Sequence, residues 1–406
     1  MVRRLAPIII LSLIIAACSA DAATPAATQV GDAPAPTDRA QSTLAVTPQI
    51  TLPPIATAAP DSTVAPTPTP LPPGQIGPEN FPPDVNPLTG LKVPDPAALN
   101  RRPLLVKISN FPGEVRPQSG MSSADMVFEH YTEGGITRFT ALFWSQTPLF
   151  AGSVRSARLI DMELPAMYRA LFAYSGSSTE IRDRVRNSDF FDRVFSPDWG
   201  DPCPLFCFVE GGILTRPNNE FASPTEIWAE ATLRGINDRP TLDGMIFNPE
   251  PPADGAPGNI VRVVYSGGFA RWDYDPSSGV YLRRQDGEPH NDRLNAKQHS
   301  AANVVVVYAT HVVSTILEDQ ASKRFGLEIQ AWGSHNAFVF RDGLAYPGRW
   351  TRADRGDLLR FWYEDEQTPL PLKPGVTWIE FVGVTTVQTT EGAGDEWRFE
   401  PPPNGP

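Results

Sequence analysis

The sequence predicts an α/β (or α+β) domain followed by a smaller, mainly antiparallel β domain, both behind a disordered tether rich in Pro, Thr and Ala. Three observations predict it. Residues 19–81 are dominated by Ala, Thr and Pro with few bulky apolar side chains, as in Ala65-Pro66-Thr67-Pro68-Thr69-Pro70. Strand-like and helix-like segments then alternate up to residue 248. Beyond residue 259 short apolar runs are separated by turn signals such as Asp286-Gly287 and Asp342-Gly343.

The N-terminus reads as a targeting segment, residues 1–17. Arg3 and Arg4 precede an uncharged apolar run, Leu5 to Ala17, which is too short to span a bilayer. The run ends in Ile15-Ala16-Ala17-Cys18, the pattern of a lipoprotein cleavage box, so Cys18 is the expected lipidation site. Residues 18–81 then form a lipid-anchored linker. A segment of this composition buries too little surface to offset its chain entropy. The expected location is extracytoplasmic, with the chain held to the membrane by lipid on Cys18.

Residues 82–248 form the first predicted domain. Leu104-Leu105-Val106-Lys107-Ile108 reads as a buried strand, and Asp125 to Tyr131 and Ile136 to Trp144 as two more. Ser223-Pro224 opens a helix, with Ser223 as cap and Pro224 in the first turn. Asn248-Pro249-Glu250-Pro251-Pro252, followed by Gly255 and Gly258, marks the boundary. Residues 259–390 form the second predicted domain. There Val304-Val305-Val306-Val307 is continuous rather than alternating, as in a strand buried on both faces. Residues 391–406 read as a frayed tail.

The formal net charge of −12 argues against a nucleic-acid surface, so no nucleic-acid partner is expected. Besides Cys18 the only cysteines are Cys203 and Cys207, whose spacing suits a local disulfide outside the cytoplasm. A metal site would need more ligands than this pair supplies. No cofactor is expected.

The main candidate ligand site joins Glu129, Arg138, Arg155 and Arg158. A four-residue loop, Thr132-Glu133-Gly134-Gly135, would place Glu129 opposite Arg138 on neighbouring strands. That pair reads either as a structural ion pair or as part of an anion or sugar-phosphate pocket. Arg155 and Arg158 share a face if their turn is helical. They would then bind an anion, or else Asp161, Glu163 or backbone carbonyls. Weaker candidates are Asp125, Arg116, Asn219, His290 and Asp292. His290 and Asp292 lie close enough in sequence for a metal or proton-transfer role, or for a hydrogen-bonded turn. No Gly-x-Ser-x-Gly elbow and no His-x-x-x-His zinc helix is present.

From Asn86 to about Val382 the chain resembles the YerB-like bacterial lipoproteins, a two-domain family of unassigned function. The resemblance rests on segments in order: Asn86-Pro87-Leu88-Thr89-Gly90, Arg116-Pro117-Gln118-Ser119-Gly120, Ala124-Asp125-Met126-Val127-Phe128-Glu129, Glu133-Gly134-Gly135-Ile136-Thr137-Arg138-Phe139, Val154-Arg155-Ser156-Ala157-Arg158, Pro289-His290 and Asn303-Val304-Val305-Val306. It implies an α/β domain before a smaller β domain, and no reaction. Two departures stand out. Tyr174-Ser175-Gly176-Ser177 and Pro217-Asn218-Asn219 lack histidines that relatives tend to carry there.

The expected function is a non-catalytic envelope lipoprotein binding a cell-wall glycan or anionic ligand in an arginine-lined cleft. The alternatives are an envelope enzyme acting on phosphorylated or cell-wall sugars, with Asp125 and Glu129 beside the arginines, and a protein-interaction scaffold.

Overall fold

The computed structural model describes residues 73–403 apart from 210, 211, 213 and 321. The targeting segment, Cys18 and all of the predicted linker before residue 73 lie outside the described residues.

In chain order the strands that matter are β1 (Leu104–Ser109), β2 (Met126–Tyr131), β3 (Thr137–Phe143), β4 (Leu171–Ala173), β5 (Val194–Phe195), β6 (Glu220–Ala222), β7 (Ile260–Tyr265), β8 (Gly268–Asp275) and β9 (Val280–Gln285). They continue with β10 (Asn303–Asp319), β11 (Arg324–Gln330), β12 (Gly333–Arg341), β13 (Leu344–Arg352), β14 (Arg360–Trp362), β15 (Thr377–Gly383), β16 (Val387–Glu391) and β17 (Glu396–Glu400). The two longer helices are α1 (Thr179–Arg186) and α2 (Pro224–Leu233). The first half is thus mixed α/β and the second mainly β.

One twelve-stranded sheet runs through both halves, ten of its strands in the order β14-β13-β12-β10-β15-β2-β3-β1-β4-β5, with β11 paired to β10 and the short strand Ala256–Pro257 paired to β13 beside that path. Its seam is the parallel pair β2–β15, with Glu129 directly beside Glu380. The middle of the sheet is covered on both faces, so Val304 to Val307 and β15 are buried throughout. A seven-stranded sheet built on β9-β8-β7-β17-β16 packs over it, bringing Trp272 against Trp378 with ring centroids 5.0 Å apart.

Two expectations at the chain's ends are corrected. Residues 391–406 are not a frayed tail throughout. Glu396-Trp397-Arg398-Phe399 pairs in parallel with β7, and fully buried Phe399 anchors it. The linker also ends before residue 81. Ile76 exchanges backbone hydrogen bonds with Phe247, and Pro78 accepts one from Gly244 at 2.7 Å. Cys203 and Cys207 are joined in a disulfide. No helix among the described residues is long and apolar enough to cross a membrane.

Candidate functional site

The register of β2 against β3 decides which side chains meet. Tyr131 lies opposite Thr137, so residues 132–136 form the connection, one residue more than the four-residue loop expected. Gly134 and Gly135 make this possible, with φ of 81° and 75°. A one-residue shift moves every side chain to the other face. Glu129 therefore faces Phe139, and Arg138 faces His130 on the opposite side of the sheet. The expected Glu129–Arg138 pairing is wrong, and the two belong to separate clusters.

Glu129 lies between the two sheets. One carboxylate oxygen accepts from Thr137 Oγ1 at 2.7 Å and Asn110 Nδ2 at 3.3 Å. The other pairs with the fully buried guanidinium of Arg283. Arg283 also donates to Gln285 at 3.0 Å and to His290 Nδ1, and His290 Nε2 meets Gln118 Oε1. A guanidinium can only donate, so Nδ1 accepts and the proton of His290 sits on Nε2. Burial, with His299 and Arg283 adding to it, holds His290 neutral, well below the usual imidazole range. Asp292 does not join it. Its carboxylate accepts from the backbone N–H groups of Gly120, Ser122 and Leu294. Of the two readings of His290 and Asp292, these contacts match the hydrogen-bonded turn, with Asp292 clamping the loop, and not a shared metal or proton-transfer pair. Arg116 joins the rim, bonded to Asp286 at 2.6 Å and to the carbonyl of Asn110 at 3.1 Å.

Asp125 is also removed from the arginines. It accepts from the N–H groups of Trp144 and Ser145 and from Asn86, and so ties the end of β3 to the first described loops. Burial raises its pKa.

The arginines gather on the other face. Residues 155–158 are extended and not helical, since regular turns begin only at Leu159. Arg158 forks onto Glu133, with Nε donating at 2.6 Å, and its own N–H donates to Asp161 at 2.7 Å. Arg138 donates to the carbonyl of Ser156 at 2.8 Å and stands 3.7 Å from Glu133. Burial and then the neighbouring Arg158 push the Arg138 guanidinium down to about 9, which leaves it charged at neutral pH. Behind them Lys107 and Asp161 form a fully buried pair at 2.8 Å.

Arg155 differs from its neighbours. Its half-buried guanidinium donates to Ser109 Oγ at 3.3 Å and to the carbonyl of Pro217 at 3.1 Å. No carboxylate oxygen among the described residues lies within 4.0 Å of it. Both segments singled out in the sequence as departures adjoin Arg155, Tyr174–Ser175 at its backbone and Pro217–Asn218 at its side chain. Ser175 follows Tyr174, donates its N–H to the Arg155 carbonyl at 3.1 Å and hydrogen-bonds Glu220 through its hydroxyl. Asn218 follows Pro217 and bonds Glu114 at 3.3 Å. Asn219 turns away and is buried, donating to the carbonyl of Val209 at 3.1 Å.

Sequence reasoning missed Lys107, Glu133, Arg283 and Glu380 as members of these clusters, and named Asp161 only as an alternative partner of the arginines, which its bond to the Arg158 N–H matches. Lys107 and Glu380 carried a usable signal: each is a lone charge inside an apolar strand, which requires a partner.

Family models match both halves of the chain. The N-terminal domain model of the DUF3048 proteins, of unknown function, matches residues 88–237, and its C-terminal counterpart matches residues 261–379. The chain is 30% identical over 303 residues to the protein named "Putative lipoprotein YerB" of Bacillus subtilis (strain 168), covering 73% of this chain and 85% of that protein. A crystal structure of YerB from Bacillus subtilis superposes with a TM-score of 0.62 at 28% identity, covering 73% of this chain and 96% of that one.

Proposed function

The chain belongs to the two-domain DUF3048 family, and from that premise we propose that it is an extracytoplasmic, lipid-anchored protein that binds an anionic envelope glycan at Arg155 without altering it. The anchor is supported by the Ile15-Ala16-Ala17-Cys18 box and by the lipoprotein name of its relative. Replacing Cys18 with Ser is expected to move the protein from the membrane to the soluble fraction. Full retention in the membrane fraction refutes the anchor.

Ligand binding rests on one observation: among the described residues no carboxylate stands within 4.0 Å of Arg155, and Glu220 and Glu114 act on it only from farther away. A partly desolvated guanidinium without a carboxylate is costly, and a bound carboxylate or phosphate satisfies it with two parallel hydrogen bonds. Arg138 and Arg158 reinforce the positive field but are committed to Glu133 and to backbone carbonyls. The probe is N-acetylglucosaminyl-N-acetylmuramic acid, whose lactyl carboxylate supplies the anion. Arg155→Ala is expected to weaken its binding about 10- to 100-fold, as loss of a charged hydrogen bond costs about 1.5–3 kcal/mol. Calorimetric titration checks this, and wild-type affinity in the variant refutes the site.

A second reading, an envelope enzyme acting on phosphorylated sugars, is favoured by the Ser175 hydroxyl bonded to Glu220 beside Arg155. It requires turnover. Unchanged N-acetylglucosamine 1-phosphate after prolonged incubation with the protein excludes it for that substrate.

A further inference from the structure

Side chains of an extended segment alternate between two faces, and around β6 the two faces differ in chemistry. Glu220 turns to Ser175, on the side of Arg155, while Asn219 and Phe221 line a recess of about 200 Å³ on the other side. The floor of the recess is apolar, made by Leu214 and Phe221, each 7% exposed, with half-buried Phe150 beside them. Its rim is apolar as well, with Val209 44% and Leu294 41% exposed. Large apolar side chains gathered in one open patch cost hydration free energy that an apolar occupant recovers.

One cation, Arg293, also lines the recess. Its Nε donates to the carbonyl of Pro117 at 3.0 Å, and its Nη groups have no partner among the described residues. No carboxylate oxygen among the described residues lies within 4.0 Å of it. The neighbouring Asp292 carboxylate is spent on the backbone N–H groups of Gly120, Ser122 and Leu294. That bond to Leu294, and the one from Asn219 Nδ2 to the Val209 carbonyl at 3.1 Å, hold the two apolar rim residues in place.

Size and charge select the occupant. An apolar cavity of about 150 Å³ takes up benzene, so this recess fits one side chain of the size of Leu or Phe and is poorly filled by Ala. A membrane acyl chain would leave most of its methylene groups in water, which disfavours lipid. The anion that pairs with Arg293 has to sit close to the inserted side chain. In an extended peptide adjacent side chains point to opposite faces, and those on one face are roughly 7 Å apart. A chain terminus has no such restriction, because its carboxylate is carried on the Cα of the apolar residue itself.

We infer that this recess is a docking site for the C-terminus of a peptide chain ending in a large apolar residue, with the side chain against Leu214 and Phe221 and the carboxylate on Arg293. The site is separate from Arg155, and neither reading depends on the other.

The probes are acetyl-Gly-Gly-Leu with a free carboxylate, the same peptide as its amide, acetyl-Gly-Gly-Ala, and octanoate, each titrated calorimetrically into the full chain. Acetyl-Gly-Gly-Leu is expected to bind, and the amide and the alanine peptide to bind at least about tenfold more weakly. Arg293→Gln is expected to weaken the free acid to the level of the amide and to leave binding of the amide unchanged, a pattern that a folding defect does not produce. Leu294→Asp places a carboxylate on the exposed rim and is expected to abolish binding of the free acid. Absence of wild-type binding to acetyl-Gly-Gly-Leu, equal affinity for acid and amide, or equal affinity for the Leu and Ala peptides overturns the site. Octanoate bound as tightly as the peptide acid overturns the peptide assignment in favour of a fatty acid.

Discussion

Replacing Arg283 with alanine is expected to cost about 3–5 kcal/mol of folding stability, the range for removing one partner of a buried pair. The guanidinium is fully buried between the sheets and is the cation paired with Glu129. Glu129 and Glu380 sit side by side on adjacent parallel strands, so the variant leaves two carboxyl groups together with no positive charge between them. It also removes the flat group that lies 4.9 Å from the Trp378 ring centre and 5.3 Å from that of Phe139. Urea unfolding of wild type and variant measures the loss. Arg271→Ala is the control, because its ion pair with Asp273 is partly solvated and is expected to contribute at most about 1 kcal/mol. Losses of equal size in the two variants refute a central role for Arg283.

The elements were more legible in the sequence than their partners. Leu104 to Ile108 had to be buried, because nothing in the run but Lys107 tolerates water, and the strand covers it with one residue added. Ser223-Pro224 did mark the start of α2, although Ser223 makes no side-chain capping bond. Glu396-Trp397-Arg398-Phe399 alternates as a strand should. The Pro-rich end that follows it masked the signal. Which strands pair could not be read, since β2 and β15 are separated by most of the folded chain and parallel pairing leaves no local signature.

The candidate site depended on finer detail still. Two glycines with positive φ lengthened the connection between β2 and β3 by one residue, and that sent Glu129 and Arg138 to opposite faces. Side-chain spacing in the sequence locates a face only once the loop length is fixed. The three arginines did come together on one side, but through extended backbone and the loops that carry Glu133 and Pro217. What makes Arg155 distinct is that its direct partners among the described residues are the Ser109 hydroxyl and the Pro217 carbonyl and not a carboxylate, and no sequence pattern reports that.

Glu380→Gln is expected to change how stability depends on pH. Burial, and secondarily the charge of Glu129, raise the Glu380 carboxyl to about 8. In the unfolded chain its pKa is the ordinary value of 4.5. Between these values the folded state binds a proton that the unfolded state does not, so stability falls as pH rises. The stabilisation from this group is complete below 4.5 and is lost as pH passes 8. The buried histidines act in the opposite sense in a lower window. Burial lowers His299 to about 4 from 6.5, so its contribution is lost as pH falls through that range and is fully present above 6.5. The interval from 6.5 to 8 therefore isolates Glu380. Wild type should lose stability across it, and Glu380→Gln should lose measurably less. The amide carries no charge at any of these pH values, and it can still accept from Trp272 Nε1 and meet the Tyr265 hydroxyl, the contacts made now at 3.0 and 2.7 Å. Lys107, whose pKa burial lowers to about 8 from 10.5, gains its stabilising effect mainly above this interval, and it does so equally in both proteins. Thermal unfolding of the two proteins in steps from pH 6.5 to 8 at constant ionic strength measures the difference. Parallel curves would mean that Glu380 is ionised in the folded state, with Arg283 then balancing two carboxylates and not one.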